Sequence, residues 1–244
     1  MLRAKIKDLV LEESGLVPIF EKYGIDYCCA ENETLDAACA KRGLDSREIH
    51  REVEAVKHQP PYHPIHPSLW DLEFLVDYIV KNHHTYLRES IPMLTAQLTK
   101  LNHEQGHRHP HIKQIAMLFT RTVQGFELHM RKEEMLLFPY IKSLESAREV
   151  SRPKPMAPLL SLEVPIQHMR EHHVETVQAF AKIRALLSDY AVPSDASATH
   201  RAVIHGLRDF EEDIHQHLHL ENNMLFVRAR ELERSFDHEH GGIA

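Results

Sequence analysis

The sequence predicts an all-α fold, in which a small helical N-terminal domain precedes an up-down four-helix bundle. Two observations support this prediction. Glycine is scarce, at 8 of 244 residues, and long segments repeat their apolar residues with the period of an α-helix. Short connections join four such segments, which is typical of a bundle; they lie near residues 68–102, 110–146, 160–190 and 198–234.

The N-terminal part of the chain consists of short helices with clear end signals. Thr34 is placed to cap a helix over 35–42, and Gly43 ends that helix. Asp45 and Glu48 form a capping-box pattern at the start of the next helix.

A proline-rich segment, which cannot be helical, separates the two parts. We therefore expect a small N-terminal domain over 1–56, a semi-rigid linker over 57–67 and the bundle over 68–244.

The last of the four bundle patterns has ionisable residues within its apolar stripe. Its members follow alternating spacings of four and three residues, so they share one face of the helix. A histidine and a glutamate one turn apart interrupt this face, which comprises Val203, Leu207, Phe210, Ile214, His217, Glu221 and Met224.

The second pattern repeats this arrangement on a face comprising Thr122, Phe126, His129, Glu133, Leu136 and Tyr140. Burying a carboxylate is unfavourable unless it is paired or binds a metal. The position of each His and Glu within an apolar stripe is therefore more informative than their spacing. His50 and Glu54 have the same spacing but lie beside their stripe, and we interpret them as a surface pair.

The third and first patterns each offer more than one histidine. On the third, only His173 continues the apolar stripe, while His168 and His172 share the neighbouring polar face and are expected to be solvated. On the first, periodicity does not separate His83 from His84.

Taken together, one inward histidine from each helix and two inward glutamates suit two metal ions bridged by carboxylates. Nitrogen and oxygen ligands without thiolate favour iron, with manganese or zinc as alternatives. The competing interpretation is a metal-free bundle whose polar core residues satisfy one another. The His-rich loop 103–111 could also collect metal, but a solvated loop is favoured.

Composition excludes several classes of protein. A net charge of −7 argues against nucleic acid as a partner. No apolar stretch approaches the roughly 20 residues that cross a bilayer, so no membrane span is expected. The N-terminus lacks the pattern of a signal peptide, and 3 cysteines do not make a secreted disulfide framework. We therefore predict a cytoplasmic protein.

Three motifs resemble a known family. DYCC at 26–29, HMRKEE at 129–134 with LFP at 137–139, and HLHLENNMLF at 217–226 are similar to the di-iron repair-of-iron-centres proteins, the YtfE/ScdA-like family. That family combines a ScdA-type N-terminal domain with a hemerythrin-like bundle. The likeness covers nearly the full length.

The resemblance implies a centre of two iron ions per chain, held by His129, Glu133, His217 and Glu221, with the carboxylates as bridges. The context of residues 88–92 selects His84 over His83, and Met169 in an M-x₃-H pattern selects His173.

Two departures from the family's pattern concern acidic residues. His172 stands where members often carry Glu. Acidic residues often precede the second-helix motif by a turn, where this chain has Gln124, Gly125 and Phe126. Any part that those acids play in iron or proton traffic is therefore in doubt for this chain.

The adjacent thiols of Cys28 and Cys29 form a second candidate site. A disulfide between neighbours strains the intervening peptide and is readily reduced. The resemblance favours a reactive or iron-relaying pair with a catalytic role, and the alternative is two small residues in a tight turn after Tyr27. Cys39 is expected to be a core residue.

The resemblance implies repair of iron–sulfur clusters damaged by nitrosative or oxidative stress, by supplying iron to the damaged proteins. One alternative is a protein that binds or reduces nitric oxide, and reduction would make it an enzyme. Another is an oxygen or redox sensor. Nitric oxide or dioxygen would be the small ligands, and a homodimer is left open.

Overall fold

The described residues form eight helices and one isolated β-bridge, and they contain no strand. The predicted all-α fold class is confirmed. The predicted linker 57–67 falls almost wholly outside the described residues, and the domain boundaries stay predictions. The computed structural model describes residues 4–30, 32–57, 67–156 and 161–240.

The N-terminal part contains four short helices: α1 (Ile6–Glu12), α2 (Val17–Lys22), α3 (Leu35–Arg42) and α4 (Ser46–Lys57). The end signals of α3 act as expected. The Thr34 hydroxyl accepts a hydrogen bond from the backbone N–H of Ala37 at 3.3 Å. Gly43 adopts a left-handed φ of 68°, which lets it end the helix.

Four long helices form a closed bundle: α5 (72–105), α6 (111–149), α7 (Glu163–Leu186) and α8 (198–240). The helices pack in the cycle α5–α6–α7–α8, and the C-terminal parts of α6 and α8 also contact each other. The third helix ends earlier than the sequence pattern indicates. Ser188, Asp189 and Tyr190 all have a positive φ, so the backbone turns away from the helix immediately after Leu187.

Three of the bundle helices contain a π-helical turn at the same level of the bundle. The turns are Ile79–His84 in α5, Glu133–Leu137 in α6 and Leu220–Leu225 in α8. A π turn holds one residue more than an α-helical turn, and such turns are frequent at functional sites. The apolar stripe after each turn is therefore displaced by one position.

This displacement corrects one member of a predicted stripe. Leu136 was expected to face the core on α6, but its side chain is 43% exposed, while Leu137 is 4% exposed. The expectation assumed an unbroken helical period, and the π turn that begins at Glu133 moves the buried position to the next residue.

Two apolar clusters fill the interior. One joins the N-terminal helices to one half of the bundle and contains the aromatic rings of Phe119, Phe180 and Phe210. The other fills the opposite half, around Phe138 and Phe226. A layer of polar side chains lies between the two clusters. None of the described helices has the length and hydropathy needed to cross a membrane.

Substitution of two glycines by alanine should change the stability of the protein in opposite directions. Gly43→Ala should destabilise the protein by about 1 kcal/mol, because an L side chain is disfavoured at a left-handed φ. Gly125→Ala should stabilise it by roughly 0.5–1 kcal/mol, because this glycine lies inside α6 and an added Cβ would have His172 at 3.7 Å. Urea unfolding measures both changes, and a shift of the same sign in both variants would contradict this account.

Candidate metal centre

Six ionisable side chains meet in the polar layer of the bundle. Each helix contributes one histidine, and α6 and α8 also contribute a glutamate one turn after the histidine. All are at most 2% exposed: His84, His129, Glu133, His173, His217 and Glu221. The structure thus brings together all six candidate metal ligands that the sequence analysis selected.

The histidines form two pairs that face each other through their Nε2 atoms. His84 and His217 lie 3.2 Å apart at these atoms, and His129 and His173 lie 3.0 Å apart. With both carboxylates, each pair makes a group of four ligand atoms within 4.8 Å of one another. The two groups share Glu133 and Glu221.

Each carboxylate divides its two oxygens between the two histidine pairs. For Glu133, Oε1 lies 3.0 Å from His129 Nε2, while Oε2 lies 3.6 Å from His84 Nε2. For Glu221, Oε1 lies 2.9 Å from His217 Nε2, while Oε2 lies 3.3 Å from His173 Nε2. This is the arrangement that two cations bridged by two carboxylates require.

The buried oxygens provide a test of whether a metal fits. Among the described residues, no group makes a hydrogen bond of acceptable geometry to either oxygen of Glu133 or of Glu221, despite the short contacts to imidazoles. Buried polar atoms are normally satisfied by a partner. Nitrogen and oxygen donors without thiolate suit iron, manganese or zinc, so the residues fit a metal centre.

Two of the histidines are oriented by hydrogen bonds at their other ring nitrogen. His84 Nδ1 lies 2.6 Å from Oε1 of Glu134, which also binds Arg88 at 2.7 Å. His173 Nδ1 lies 2.9 Å from the side-chain oxygen of Asn222. Donation from Nδ1 leaves the Nε2 lone pair free to face the centre.

The other two histidines are oriented by ring stacking. Phe126 stacks on His129 with centroids 5.1 Å apart and planes at 14°. His83 stacks on His217 with centroids 5.7 Å apart and planes at 9°. Their Nδ1 atoms have no hydrogen-bond partner among the described residues.

Burial sets the protonation of the centre. It lowers the pKa of His129 to about 4, and together with the neighbouring His217 it lowers the pKa of His84 to about 2. Burial and then the charge of Glu221 raise the pKa of Glu133 well above its usual range. Burial also opposes the charge on Glu221, but His217 and His173 hold its pKa well below its usual range. The imidazoles of His84 and His129 are therefore neutral at neutral pH, as metal ligands must be.

The π turn explains why periodicity did not separate His83 from His84. His83 continues the stripe that precedes the turn, and His84 belongs to the stripe that follows it, which continues at Leu87. In the structure His84 faces the centre, whereas His83 Nδ1 lies 2.9 Å from an oxygen of Asp213.

The remaining histidines that were considered lie outside the centre. His168 is exposed, and His172 is half-buried with its ring tilted against His129 at 5.8 Å. His50 of α4 contacts an oxygen of Asp36 of α3 at 3.0 Å, within the N-terminal part.

The two adjacent cysteines lie in a loop that Asp26 organises. Its Oδ1 accepts hydrogen bonds from the backbone N–H groups of Cys28 and Cys29, at 3.0 and 2.8 Å. The two Sγ atoms lie 3.6 Å apart as free thiols, and the three side chains form a further group that could hold a metal. Burial raises the pKa of the Cys28 thiol well above its usual range, so this cysteine is not a thiolate nucleophile at neutral pH. Cys39 is buried in the apolar core, as expected.

Two asparagines of α8 attach this loop to the bundle, and the sequence analysis did not select them. Asn222 Nδ2 donates to the backbone carbonyl of Cys28 at 3.1 Å and lies 3.6 Å from Cys29 Sγ. Asn223 Nδ2 donates to the backbone carbonyl of Tyr27 at 3.0 Å. The sequence does offer an indication of these two residues, because they are adjacent amides directly after Glu221, followed by an apolar segment.

Asn222 therefore joins the cysteine loop directly to a histidine of the centre. Its side-chain oxygen faces His173, and its nitrogen faces the two cysteines. A cavity of about 520 Å³ lies beside it, lined by Cys28, Cys29, Asn32, Gln167, Arg170, Glu171, Val174, Glu175 and Asn222.

Comparison with known proteins agrees with this geometry. Residues 75–229 match the hemerythrin HHE cation binding domain, and residues 2–57 match ScdA_N, a domain of unknown function (DUF542). The chain belongs to the hemerythrin HHE family, and the bundle is a cation-binding domain.

Relatives that match this chain over most of its length include proteins named for iron-sulfur cluster repair. The chain is 30% identical to the iron-sulfur cluster repair protein ScdA of Staphylococcus haemolyticus, over 91% of this chain and 95% of that protein. It is 29% identical to the iron-sulfur cluster repair protein YtfE of Citrobacter koseri and to that of Escherichia coli O8, in each case over 91% of this chain and 94% of the relative. The predicted resemblance to the YtfE/ScdA-like family is confirmed.

Loss of a buried ligand should lower the metal content of the purified protein. We expect His129→Ala and Glu221→Ala to retain less metal than the native chain, as measured by elemental analysis. His168→Ala, on the exposed face of the helix that carries His173, should retain the native amount, and so should His50→Ala. Equal losses in all four variants would contradict the assigned ligand set.

The buried His219 should make stability depend on pH. Burial lowers its pKa to about 4, while its Nδ1 accepts a hydrogen bond from Asn223. The unfolded chain takes up a proton near pH 6.5 and the folded chain does so only near pH 4. The free energy of unfolding therefore decreases as the pH is lowered across this window, by about 1.4 kcal/mol per pH unit for one such group.

Urea unfolding at pH 6.5 and pH 4.5 measures this loss, and we expect it to be smaller in His219→Gln. His205→Gln, at an exposed position of the same helix, is the control and should keep the native loss. An unchanged loss in His219→Gln would exclude this residue as a source of the pH dependence.

Proposed function

We propose that this chain is a di-iron protein that repairs damaged iron–sulfur clusters by supplying iron. The observation that carries the proposal is the division of each buried carboxylate between two histidine pairs. It supports two adjacent cation positions rather than one. The names of the relatives, iron-sulfur cluster repair proteins, support the activity.

In this proposal His84 and His217 hold one iron, and His129 and His173 hold the other. Glu133 and Glu221 contact both pairs and would bridge the two ions. Ferrous iron with nitrogen and oxygen ligands is bound less tightly than later transition metals, so the cargo can be released.

The four histidines are not equivalent with respect to release. His173 is the histidine of the centre that is tied to the cysteine loop, through Asn222. Cys29 is half-buried and lines the cavity beside Asn222, so a thiol stands between the centre and solvent. We infer that iron leaves on the His173 side and that Cys28, Cys29 and Asp26 receive it.

The chemistry of the Cys28 thiol fits this role. Its raised pKa keeps the proton on sulfur while no cation is present, and a metal ion displaces such a proton when it binds. An oxygen of Asp26 lies 3.3 Å from Cys28 Sγ. The cysteine loop therefore offers a mixed sulfur and oxygen ligand set that would bind the iron transiently.

The proposed setting is the cytoplasm under nitrosative or oxidative stress. The recipients would be proteins whose iron–sulfur clusters have been damaged by nitric oxide or peroxide. Nitric oxide or dioxygen would be the small ligands that reach the centre. No observation in the structure favours nitric oxide reduction or sensing over repair.

A transfer assay tests the function. The iron-loaded protein is added to an iron–sulfur dehydratase inactivated by nitric oxide, and recovery of dehydratase activity is followed. We expect recovery at iron concentrations where an equal amount of free ferrous iron with a competing chelator gives none. No recovery with the loaded protein, together with full recovery from free iron, would overturn the proposal.

Variants of the cysteine loop test the release route. Cys28→Ser/Cys29→Ser should keep the native iron content but restore dehydratase activity more slowly, because the receiving thiols are absent. Cys39→Ser is the matched control, since that thiol lies in the apolar core away from the loop, and it should restore activity at the native rate.

Variants of the two asparagines distinguish a role of Asn222 in iron release from simple attachment of the cysteine loop to the bundle. Asn222→Ala removes the contact with His173, whereas Asn223→Ala removes only a contact with the loop backbone and with His219. We expect slower transfer in Asn222→Ala than in Asn223→Ala at equal iron content. Equal rates would show that Asn222 has no special role in release.

A further inference from the structure

A second histidine cluster lies at the end of the bundle where the α5–α6 and α7–α8 connections meet. His109 lies in the first connection, His111 begins α6, and His200 lies in the first turn of α8. His200 and His217 are on the same helix and about 25 Å apart along its axis, at about 1.5 Å per residue. The cluster is therefore separate from the candidate metal centre.

The ring of His109 contacts the rings of both other histidines and lies near an acidic residue. The ring centroids of His109 and His200 are 5.4 Å apart, and those of His109 and His111 are 5.7 Å apart, both edge to face. His109 Nε2 also lies 3.7 Å from Oδ2 of Asp195, which belongs to the α7–α8 connection.

His200 is the member of this cluster that the fold leaves unsatisfied. It is 1% exposed, and neither of its ring nitrogens has a hydrogen-bond partner among the described residues. Its backbone is held in place, because its N–H donates to the Ser197 hydroxyl that caps α8. A buried polar side chain normally has a partner, so a fixed and unpartnered imidazole that packs against the ring of His109, itself in contact with His111, indicates a ligand.

We propose that His109, His111, His200 and Asp195 form a second cation site, which takes Zn²⁺ or a similar divalent transition ion. Three imidazoles and one carboxylate are a donor set that zinc accepts in its four-coordinate sites. His109 and His111 are half-buried and lie on the solvent side of His200, so their rings can turn toward an ion that enters from solvent. An ion bound here ties the two connections together.

The structure also divides the His-rich segment 103–111, for which the sequence favoured a solvated loop. His103 and His107 are exposed, as that expectation requires. His109 and His111 instead pack against each other, and His109 packs against a buried histidine from a distant part of the chain. Only the second pair belongs to the proposed site.

Zinc titration of the full-length, iron-loaded protein tests the site. Zn²⁺ is added in competition with a chromophoric chelator, and we expect one equivalent to bind beyond the iron. His109→Ala and His111→Ala should each weaken zinc binding by roughly 10- to 100-fold or more, since even the loss of a residue that supports a ligand has an effect of this size. Their iron content should equal that of the native chain.

His107→Ala is the matched control, because it removes an exposed histidine from the same segment. It should bind zinc with the native affinity. Absence of zinc binding to the iron-loaded protein would overturn the proposal. So would an equal weakening in His107→Ala and His109→Ala, or a loss of iron that accompanies the loss of zinc.

Discussion

Two carboxylates, those of Glu133 and Glu221, lie fully buried in the middle of this bundle, and the rest of the structure accommodates them. Removing an ionised carboxylate from water costs several kcal/mol even after relaxation. The four surrounding imidazoles do not provide hydrogen bonds of good geometry to the four oxygens. The layer therefore lacks positive charge, which a bound cation would supply. The two apolar clusters on either side keep water away from the layer, which strengthens every electrostatic interaction within it.

The small N-terminal part contributes to this layer as well as to the apolar core. Its cysteine loop reaches the bundle at the level of the metal centre, where the amides of Asn222 and Asn223 hold it. The ring of Tyr27 packs edge-on against His215 and His219, which fixes the loop from the other side. On the His173 side, the single side chain of Asn222 contacts both a histidine of the polar layer and the cysteine loop.

Much of this fold could be predicted from residue patterns because the relevant interactions are local. Thr34 and Gly43 bound α3 through contacts within a single turn. The positions of His129 and Glu133, and of His217 and Glu221, were predictable because an i, i+4 pair within an apolar stripe shares one face whatever the neighbouring helices do.

Features that depend on several helices at once could not be predicted in this way. The π turns arise where four helices must present ligands at one level, and periodicity within one helix does not reveal them. Leu136 was misplaced for this reason, and His83 could not be separated from His84. The partners of Asn222 and His200 come from distant segments of the chain, so neither role was visible in the local pattern.

Each of the three π turns acts as a one-residue insertion relative to a helix of an ordinary four-helix bundle. On α8 the buried positions continue at Leu225, Ala229, Glu233 and Phe236 after the turn. Removal of one residue between Glu221 and Leu225 would bring Leu225, Ala229 and Phe236 into the three- and four-residue spacing of the preceding stripe. The same holds for α5 and α6, so the chain corresponds to three straight bundle helices with a single insertion in each. An alignment with a metal-free bundle should therefore open its gaps at the layer of ligands, and those gaps would mark the site even where the ligands themselves have been replaced.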